Sequence, residues 1–286
     1  MLSLKKAVKI YIRYMTEKDL PAVLLMTTEE GWISDLIEFQ TFIEFNPFGC
    51  FVYVEAGKIV GSIMTFQHTQ SAWIGNFIVS REYRGKGIGK KLLSRAIEYL
   101  DKKKKKQIYL NAAYEAKNLY KKFGFKEVIR VNRWQGKAVR FTNNMETLQE
   151  IIPDILGFVK LDTSLWKDER FCLISQRSSL CHSYSYSEPS GFLMYGNVGN
   201  IITIGPWELK GKDKSIAEKL FISALFKLNT KSKIFLDVPS INKKAERILA
   251  KYKFKIIRSS LFMCRGRLLK ICFSEIFSFA TMGSMG

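Results

Sequence analysis

The sequence is poor in the residues that bind metals and form disulfides. It holds two histidines, His68 and His182, which excludes a histidine-rich metal site. Its five cysteines, Cys50, Cys172, Cys181, Cys264 and Cys272, are odd in number and show no C-x-x-C pairing. That pattern fits reduced thiols in a cytosol and argues against a structural zinc, so no metal is expected. Long apolar runs are missing too. The most apolar late stretch, Leu268 to Ala280, is too short to span a bilayer and carries Lys270 and Glu275. Met1 to Lys6 is charged with no long apolar stretch behind it, so no signal peptide is expected. The expectation is a cytoplasmic protein with no membrane partner.

Acidic residues are scarce: 26 Asp and Glu stand against 46 Lys and Arg, a formal net charge of +20. Such an excess suits nucleic acid, an anionic membrane surface or acidic substrates. The lysines, however, are scattered through predicted helices, as on solvated faces. The exception is Lys102 to Lys106, which reads as a solvated connection adding attraction for an anionic cofactor. No basic–aromatic motif of the single-strand-binding kind accompanies it, which argues against nucleic acid. With 286 residues, 47% of them hydrophobic, the chain is long enough for about two domains with their own cores.

What the chain does have is a pattern from Trp73 to Leu100. An apolar run of strand type, Trp73 to Val79, breaks into a polar, Gly-rich turn, Ser80 to Gly89. An amphipathic helix follows, with Ile88, Leu92, Leu93, Ala96, Ile97 and Leu100 at helical spacing. A helix N-terminus leaves backbone N–H groups unpaired and carries partial positive charge. Gly85, Gly87 and Gly89 let that backbone approach an anion without a Cβ in the way, and Arg84 and Lys86 add full charges. The spacing is not that of a mononucleotide P-loop, because Lys90 is followed by Lys91 rather than Ser or Thr. It is not the dinucleotide fingerprint either: the glycines read G-x-G-x-G.

The order R-x-x-G-x-G, from Arg84 through Gly87 to Gly89, resembles the coenzyme A pyrophosphate loop of the GNAT superfamily of N-acetyltransferases. The element order agrees. A strand at Lys9 to Tyr14 precedes a helix capped by Thr16, with Asp19 and Pro21 near its start. Thr27 to Gly31 reads as a polar loop leading to Trp32, and a second helix runs to Phe45. Strands follow at Cys50 to Glu55, Ile59 to Phe66 and Trp73 to Val79. After the organising helix come a strand at Ile108 to Ala113, a short helix from Ala116 to Phe123 ended by Gly124, and an expected hairpin of Phe125–Val131 with Trp134–Phe141. The segments E-E-G-W, N-P-F-G-C-F-V and L-N-A-A-Y-E-A-K-N-L-Y-K-K-F-G-F are similar to the catalytic half of a tandem-domain GNAT family, in which a degenerate GNAT domain follows.

That resemblance implies an α/β (mixed α+β) fold class: two tandem GNAT-like domains, each a central mixed, splayed sheet flanked by helices. The polar stretch from Thr142 sets the expected boundary, with residues 1–142 catalytic and 143–286 degenerate. The later sequence fits a decayed repeat. Ile216, Leu220, Phe221, Ala224, Leu225 and Leu228 repeat the apolar positions of the first helix at a step of 128 residues, from Ile88 to Ile216. The glycines are not repeated: Gly87 and Gly89 become Ser215 and Ala217, and Asp213 stands near the helix start. One cofactor per chain is therefore expected.

Carried over residue by residue, the resemblance implies acetyl-CoA as cosubstrate and no metal. Backbone at Phe77, Ile78 and Val79 pairs with the pantetheine arm. Arg84, Gly85, Lys86, Gly87, Ile88, Gly89 and Lys90 hold the pyrophosphate, with a solvated role open for Lys86 and Lys90. Tyr120 is the candidate general acid for the departing thiolate, with aromatic packing as its other reading. Glu30, Trp32 and Asn76 are candidate substrate contacts, along with Glu29 and Asp35. The strand before the loop holds no carboxylate, so no general base is assigned. The expected function is acetyl transfer to a primary amine of a small molecule by direct attack in a ternary complex. A protein or peptide acceptor, and a non-catalytic acyl-CoA-binding regulator, stay open. Oligomeric state is not legible in the sequence.

Overall fold

The computed structural model describes residues 9–34, 36–138, 147–186, 190–198, 200–211, 213, 215–228, 232–281 and 284–286. Asp35 and the expected boundary at 142/143 lie outside them. The chain divides into two compact units: Met1–Gln67 with Ile74–Lys105, and His68–Trp73 with Lys106–Gly286.

In the first unit, runs rich in Val, Ile and Phe form strands β1 (Ile10–Tyr14), β2 (Cys50–Glu55), β3 (Lys58–Gln67) and most of β4 (Ser71–Val79). Strands β1 and β2, and β2 and β3, pair antiparallel. Residues Val60–Phe66 of β3 are buried without a break, as expected of a strand covered on both faces. Alternation along β3 says what covers each face. Gly61 approaches Leu92 of helix α3 (Ile88–Lys102). Phe66, of opposite parity, meets Phe42 of helix α2 (Leu36–Phe45) edge-on, with ring centroids 5.7 Å apart. Helices α1 (Leu20–Glu29) and α2 thus pack on one face and α3 on the other, where its six predicted apolar residues are all buried.

Helix α1 runs three residues into the expected loop. Thr27 is buried and its hydroxyl donates to the Leu24 carbonyl at 2.9 Å, a bond local to the helix that holds its last turn. The N-P-F-G-C segment is pinned by Asn46. Its amide donates to the Thr65 carbonyl at 2.9 Å, and its own carbonyl accepts from Gln67 at 2.8 Å and from the Tyr99 hydroxyl at 2.5 Å.

The second unit contains β5 (Gln107–Ala112), α4 (Lys117–Lys121), β6 (Lys126–Lys137), α5 (Ile155–Trp166), α6 (Phe171–Leu180), β7 (His182–Tyr186), β8 (Gly191–Val198), β9 (Ile201–Leu209), α7 (Ser215–Lys227), β10 (Lys233–Pro239), α8 (Lys243–Lys251), β11 (Lys255–Arg265) and β12 (Ile276–Ser278). The first three residues of β4 pair parallel with Gln107–Tyr109 of β5, and β10 pairs parallel with β9. Between them the order is β5-β11-β6-β10, all antiparallel. That order reads the same from either end when each strand is exchanged for its counterpart in the repeat (β5 for β10, β6 for β11).

The expected hairpin at Phe125–Phe141 is a correction: Lys126–Lys137 is one strand, held between β11 and β10. Two partners from the distant half supply the ladder that a hairpin would have made. A second difference lies at Gly205-Pro206, where the strand from Ile201 does not stop. Leu193 pairs with Trp207 and Tyr195 with Ile204, so a bulge absorbs the extra residue of β9.

Under this sheet, Arg170 is fully buried between Asp162 and Glu208, and the Trp166 indole donates to Glu208 Oε1 at 3.0 Å. Burial first, and then the Asp162 charge, push the Glu208 carboxyl well above the usual carboxylate range. A carboxyl with a raised folded pKa costs stability as pH rises past its unfolded value, about 4.3. Glu208→Gln keeps the acceptor for Trp166 and removes the titration. It is expected to raise the midpoint of urea unfolding at neutral and alkaline pH while leaving it unchanged near pH 4. Urea curves of both proteins across pH check this.

Candidate functional site

The chemistry converges where β4 ends and α3 begins. Asn76 kinks strand β4: its φ is +46°, in the left-handed region that few residues other than glycine and asparagine adopt. Its backbone carbonyl accepts from the Ser62 hydroxyl at 3.3 Å, and its side-chain amide donates to Glu38 Oε1 at 3.0 Å. Phe77, Ile78 and Val79 follow and complete the strand, with Ile78 buried and its neighbours half-buried. The parallel ladder between β4 and β5 runs for three pairs, ending at Trp73 and Tyr109.

A short 3-10 turn, Arg81–Tyr83, then leads into the loop. Gly85 and Gly87 both take left-handed φ, +79° and +78°, which is why glycine is needed at these two positions. Gly87 caps α3 with no side-chain bond to the helix, and the first turn holds no acidic residue. The first intrahelical bond runs from Lys91 N–H to the Gly87 carbonyl at 3.1 Å, so the amides of Ile88, Gly89 and Lys90 lie ahead of it. A Cβ built on Gly85 or Gly87 meets nothing within 4 Å. The surface over the loop is open, positively polarised and unclaimed by a carboxylate, a site that fits a phosphate group.

The exposed cations are held in distinct ways. Glu30, at the end of α1, accepts from Arg81 Nε at 2.8 Å and Arg84 Nη2 at 2.7 Å. Arg84 Nε also donates to the Val79 carbonyl at 2.9 Å. The hydrogen bond from Arg81, with the charge of Arg84, holds the Glu30 carboxyl below its ordinary range. Glu30, a candidate substrate contact, also ties the loop to α1. Lys86 Nζ sits 4.7 Å from the centre of the Tyr83 ring, and Lys90 is exposed. Trp32 is half-buried in the connection after α1, its N–H donating to the Thr27 carbonyl at 2.9 Å.

Tyr120 belongs to the second unit. Its ring is buried and meets Phe125 edge-on at 5.9 Å, and burial pushes its hydroxyl pKa above the ordinary value. In the same unit the start of α7 differs from that of α3. Asp213 Oδ1 accepts from the Ser215 N–H at 2.9 Å and from its hydroxyl at 2.7 Å. A carboxylate of the chain itself stands where α3 has none. Sequence reasoning missed Glu38 altogether, because nothing in the helix around it marks it; only its contact with Asn76 does. Among the described residues, no cluster of His, Cys, Asp and Glu is placed to hold a metal ion.

Residues 15–125 match the acetyltransferase (GNAT) family model. The chain thus carries a segment of GNAT acetyltransferase type. It is an enzyme of the acyltransferase class, and the family uses acetyl-CoA. The chain is 24% identical over 245 residues to holothin acyltransferase of a Pseudoalteromonas strain, covering 83% of this chain and 82% of that protein. It is 28% identical over 125 residues to the N-alpha-acetyltransferase MAK3 of Arabidopsis thaliana, covering 40% of this chain and 65% of that protein. Its fold is similar to a putative acetyltransferase of Pyrococcus horikoshii, with a TM-score of 0.83, 22% identity, and coverage of 95% of this chain and 94% of that one. No helix among the described residues is long and apolar enough to cross a membrane.

Proposed function

We propose that this enzyme transfers an acetyl group from acetyl-CoA to the primary amine of a small molecule, in a cytoplasmic setting. The observation that carries the reading is the open, left-handed Gly85–Gly87 loop at the uncapped start of α3. In this reading the amides of Ile88, Gly89 and Lys90, with Gly85 and Gly87, bind the pyrophosphate, and Lys86 and Lys90 add long-range attraction. Arg84 supports the loop through its bond to Val79 and its pair with Glu30. The backbone of Phe77–Val79 orients the pantetheine arm, a role favoured by the short β4–β5 ladder. The amine attacks the thioester carbonyl, the C–N bond forms, and the C–S bond breaks. Tyr120 returns a proton to the departing thiolate. Trp32 and Asn76 border the acceptor.

The acceptor class divides two readings. A small molecule is favoured by the holothin acyltransferase match, which runs through both halves of the chain. A peptide N-terminus is favoured by the MAK3 match, which spans a shorter part of both proteins. Turnover of acetyl-CoA against a panel of small amines and N-terminal peptides, followed as free thiol, separates them. Release of thiol with peptides alone would reverse the choice.

In the same reading, residues 1–142 form the catalytic domain and 143–286 a degenerate copy. Asp213 then satisfies the start of α7 in place of an anion, its carboxyl held below the ordinary range by its bonds to Ser215. The expected stoichiometry is one coenzyme A per chain. Calorimetric titration checks it, and saturation at two equivalents would refute the assignment of a silent second half.

A further inference from the structure

We infer that Glu38 is the proton acceptor for the incoming amine and that Asn76 is the residue that positions it. The inference rests on the acetyl-CoA reading of the loop and deepens it. Three observations carry it. Glu38 stands in the first turn of α2, and its Oε1 is 3.0 Å from the Asn76 side-chain amide. Asn76 is the residue just before Phe77–Val79, the segment assigned to the thioester arm. Its left-handed backbone, at φ +46°, turns a strand position that carries no charge of its own toward α2, and its amide also lies 3.7 Å from Met64 Sδ. A non-glycine residue held there is strained, and such strain gathers where a side chain must be aimed.

The chemistry requires a base. A primary amine with the basicity of lysine is neutral in roughly one molecule in 10³ at pH 7. Strand β4 has no titratable side chain from Trp73 to Val79. The elements packed against α2 are α1, β3 and the short turn Pro47–Gly49. Among the described residues these elements carry Glu29, at the end of α1, and Lys58, at the start of β3, while α2 itself adds Glu44. Glu30 is occupied by Arg81 and Arg84. Glu38 is a carboxylate held against Asn76, the residue just before the segment assigned to the arm. In the step, the ammonium gives one proton to Glu38 and becomes nucleophilic. After C–N bond formation and C–S cleavage, the second nitrogen proton is balanced by protonation of the thiolate. Glu38 then releases its proton to solvent.

The test uses the full chain, acetyl-CoA, and whichever of phenethylamine or a Met-Leu-Gly peptide the native enzyme acetylates faster. Glu38→Gln should bind acetyl-CoA with an affinity within about twofold of native, since the loop is untouched. Its kcat/KM for the basic amine should fall by about 10²–10⁴-fold, the usual worth of a general base, and the acid limb of the pH profile should vanish. With 2,2,2-trifluoroethylamine, which is already neutral at pH 7, the fall should be less than about tenfold, because little of the base's work remains. Glu38→Asp should recover part of the lost rate. Asn76→Asp sets a second carboxylate beside the first, and like charges should move the acid limb up by about one pH unit. A merely structural role moves neither limb. Native turnover and a native acid limb in Glu38→Gln, with acetyl-CoA still bound, would overturn the assignment of Glu38 alone. Failure of the native chain to bind acetyl-CoA would overturn the underlying reading, and this one with it.

Discussion

Gly87→Asp is expected to weaken acetyl-CoA binding by at least about 100-fold, close to 2.7 kcal/mol, while the protein stays folded. The geometry separates the two effects. Gly87 has φ +78° and ψ 3°, and a Cβ built on it meets no heavy atom within 4 Å. The new side chain therefore clashes with nothing in the protein. A non-glycine residue in the left-handed region costs about 1 kcal/mol, and aspartate is among those that tolerate it best. As the cap residue of α3 it can also accept from the helix's own first-turn amides, a gain of about 1 kcal/mol that offsets the strain. Those amides are the groups assigned to the pyrophosphate, and the carboxylate places a negative charge among them. Asp213 at the start of α7 is the chain's own precedent for that arrangement. Calorimetry and thermal unfolding on one sample check the two effects together. Native affinity in a folded Gly87→Asp protein would remove the loop from cofactor binding.

Tyr120→Phe is expected to lower kcat by about 10²–10⁴-fold with little change in the KM for acetyl-CoA. The change keeps the ring, and with it the edge-on contact to Phe125 at 5.9 Å, and removes only the hydroxyl. Burial holds that hydroxyl protonated through the physiological range, as a proton donor must be. The hydroxyl matters only as charge develops on sulfur, so the loss falls on the chemical step. Tyr120→Ala should instead cost about 3–5 kcal/mol of stability, because a buried aromatic ring is lost. Comparing kcat and urea stability of both variants distinguishes a donor from a packing residue. A Phe variant with native turnover would leave thiolate protonation to water.

The two substitutions differ in how far the sequence alone could have led to them. The loop and helix α3 were legible because their causes are local. Left-handed backbone at Gly85 and Gly87 needs glycine, and helical spacing of Ile88 through Leu100 needs only one buried side. The short turn at Ala56-Gly57 and the glycine at 124, three residues beyond α4, are local in the same sense, with positive φ at each. Tertiary structure decided what links residues far apart along the chain. Alternating apolar residues at Phe125–Phe141 specify a strand but not its partners. Pairing with β11 and β10, whose residues come more than 95 positions later, turned an expected hairpin into a single strand. Asn46 looked like a helix stop followed by a turn. Its bonds to Thr65 and Gln67 on β3 and to Tyr99 on α3 make it a tie between elements. Nothing in the sequence marks the bonds that Glu30 accepts from Arg81 and Arg84, 51 and 54 positions away. Glu38 reads as an ordinary solvated carboxylate on an amphipathic helix until the left-handed kink at Asn76, 38 positions away, brings an amide to it. Backbone conformation follows from neighbouring residues, so a sequence carries it openly. The partner of a carboxylate is set by which strands and helices pack, and that is decided by burial summed over the whole chain.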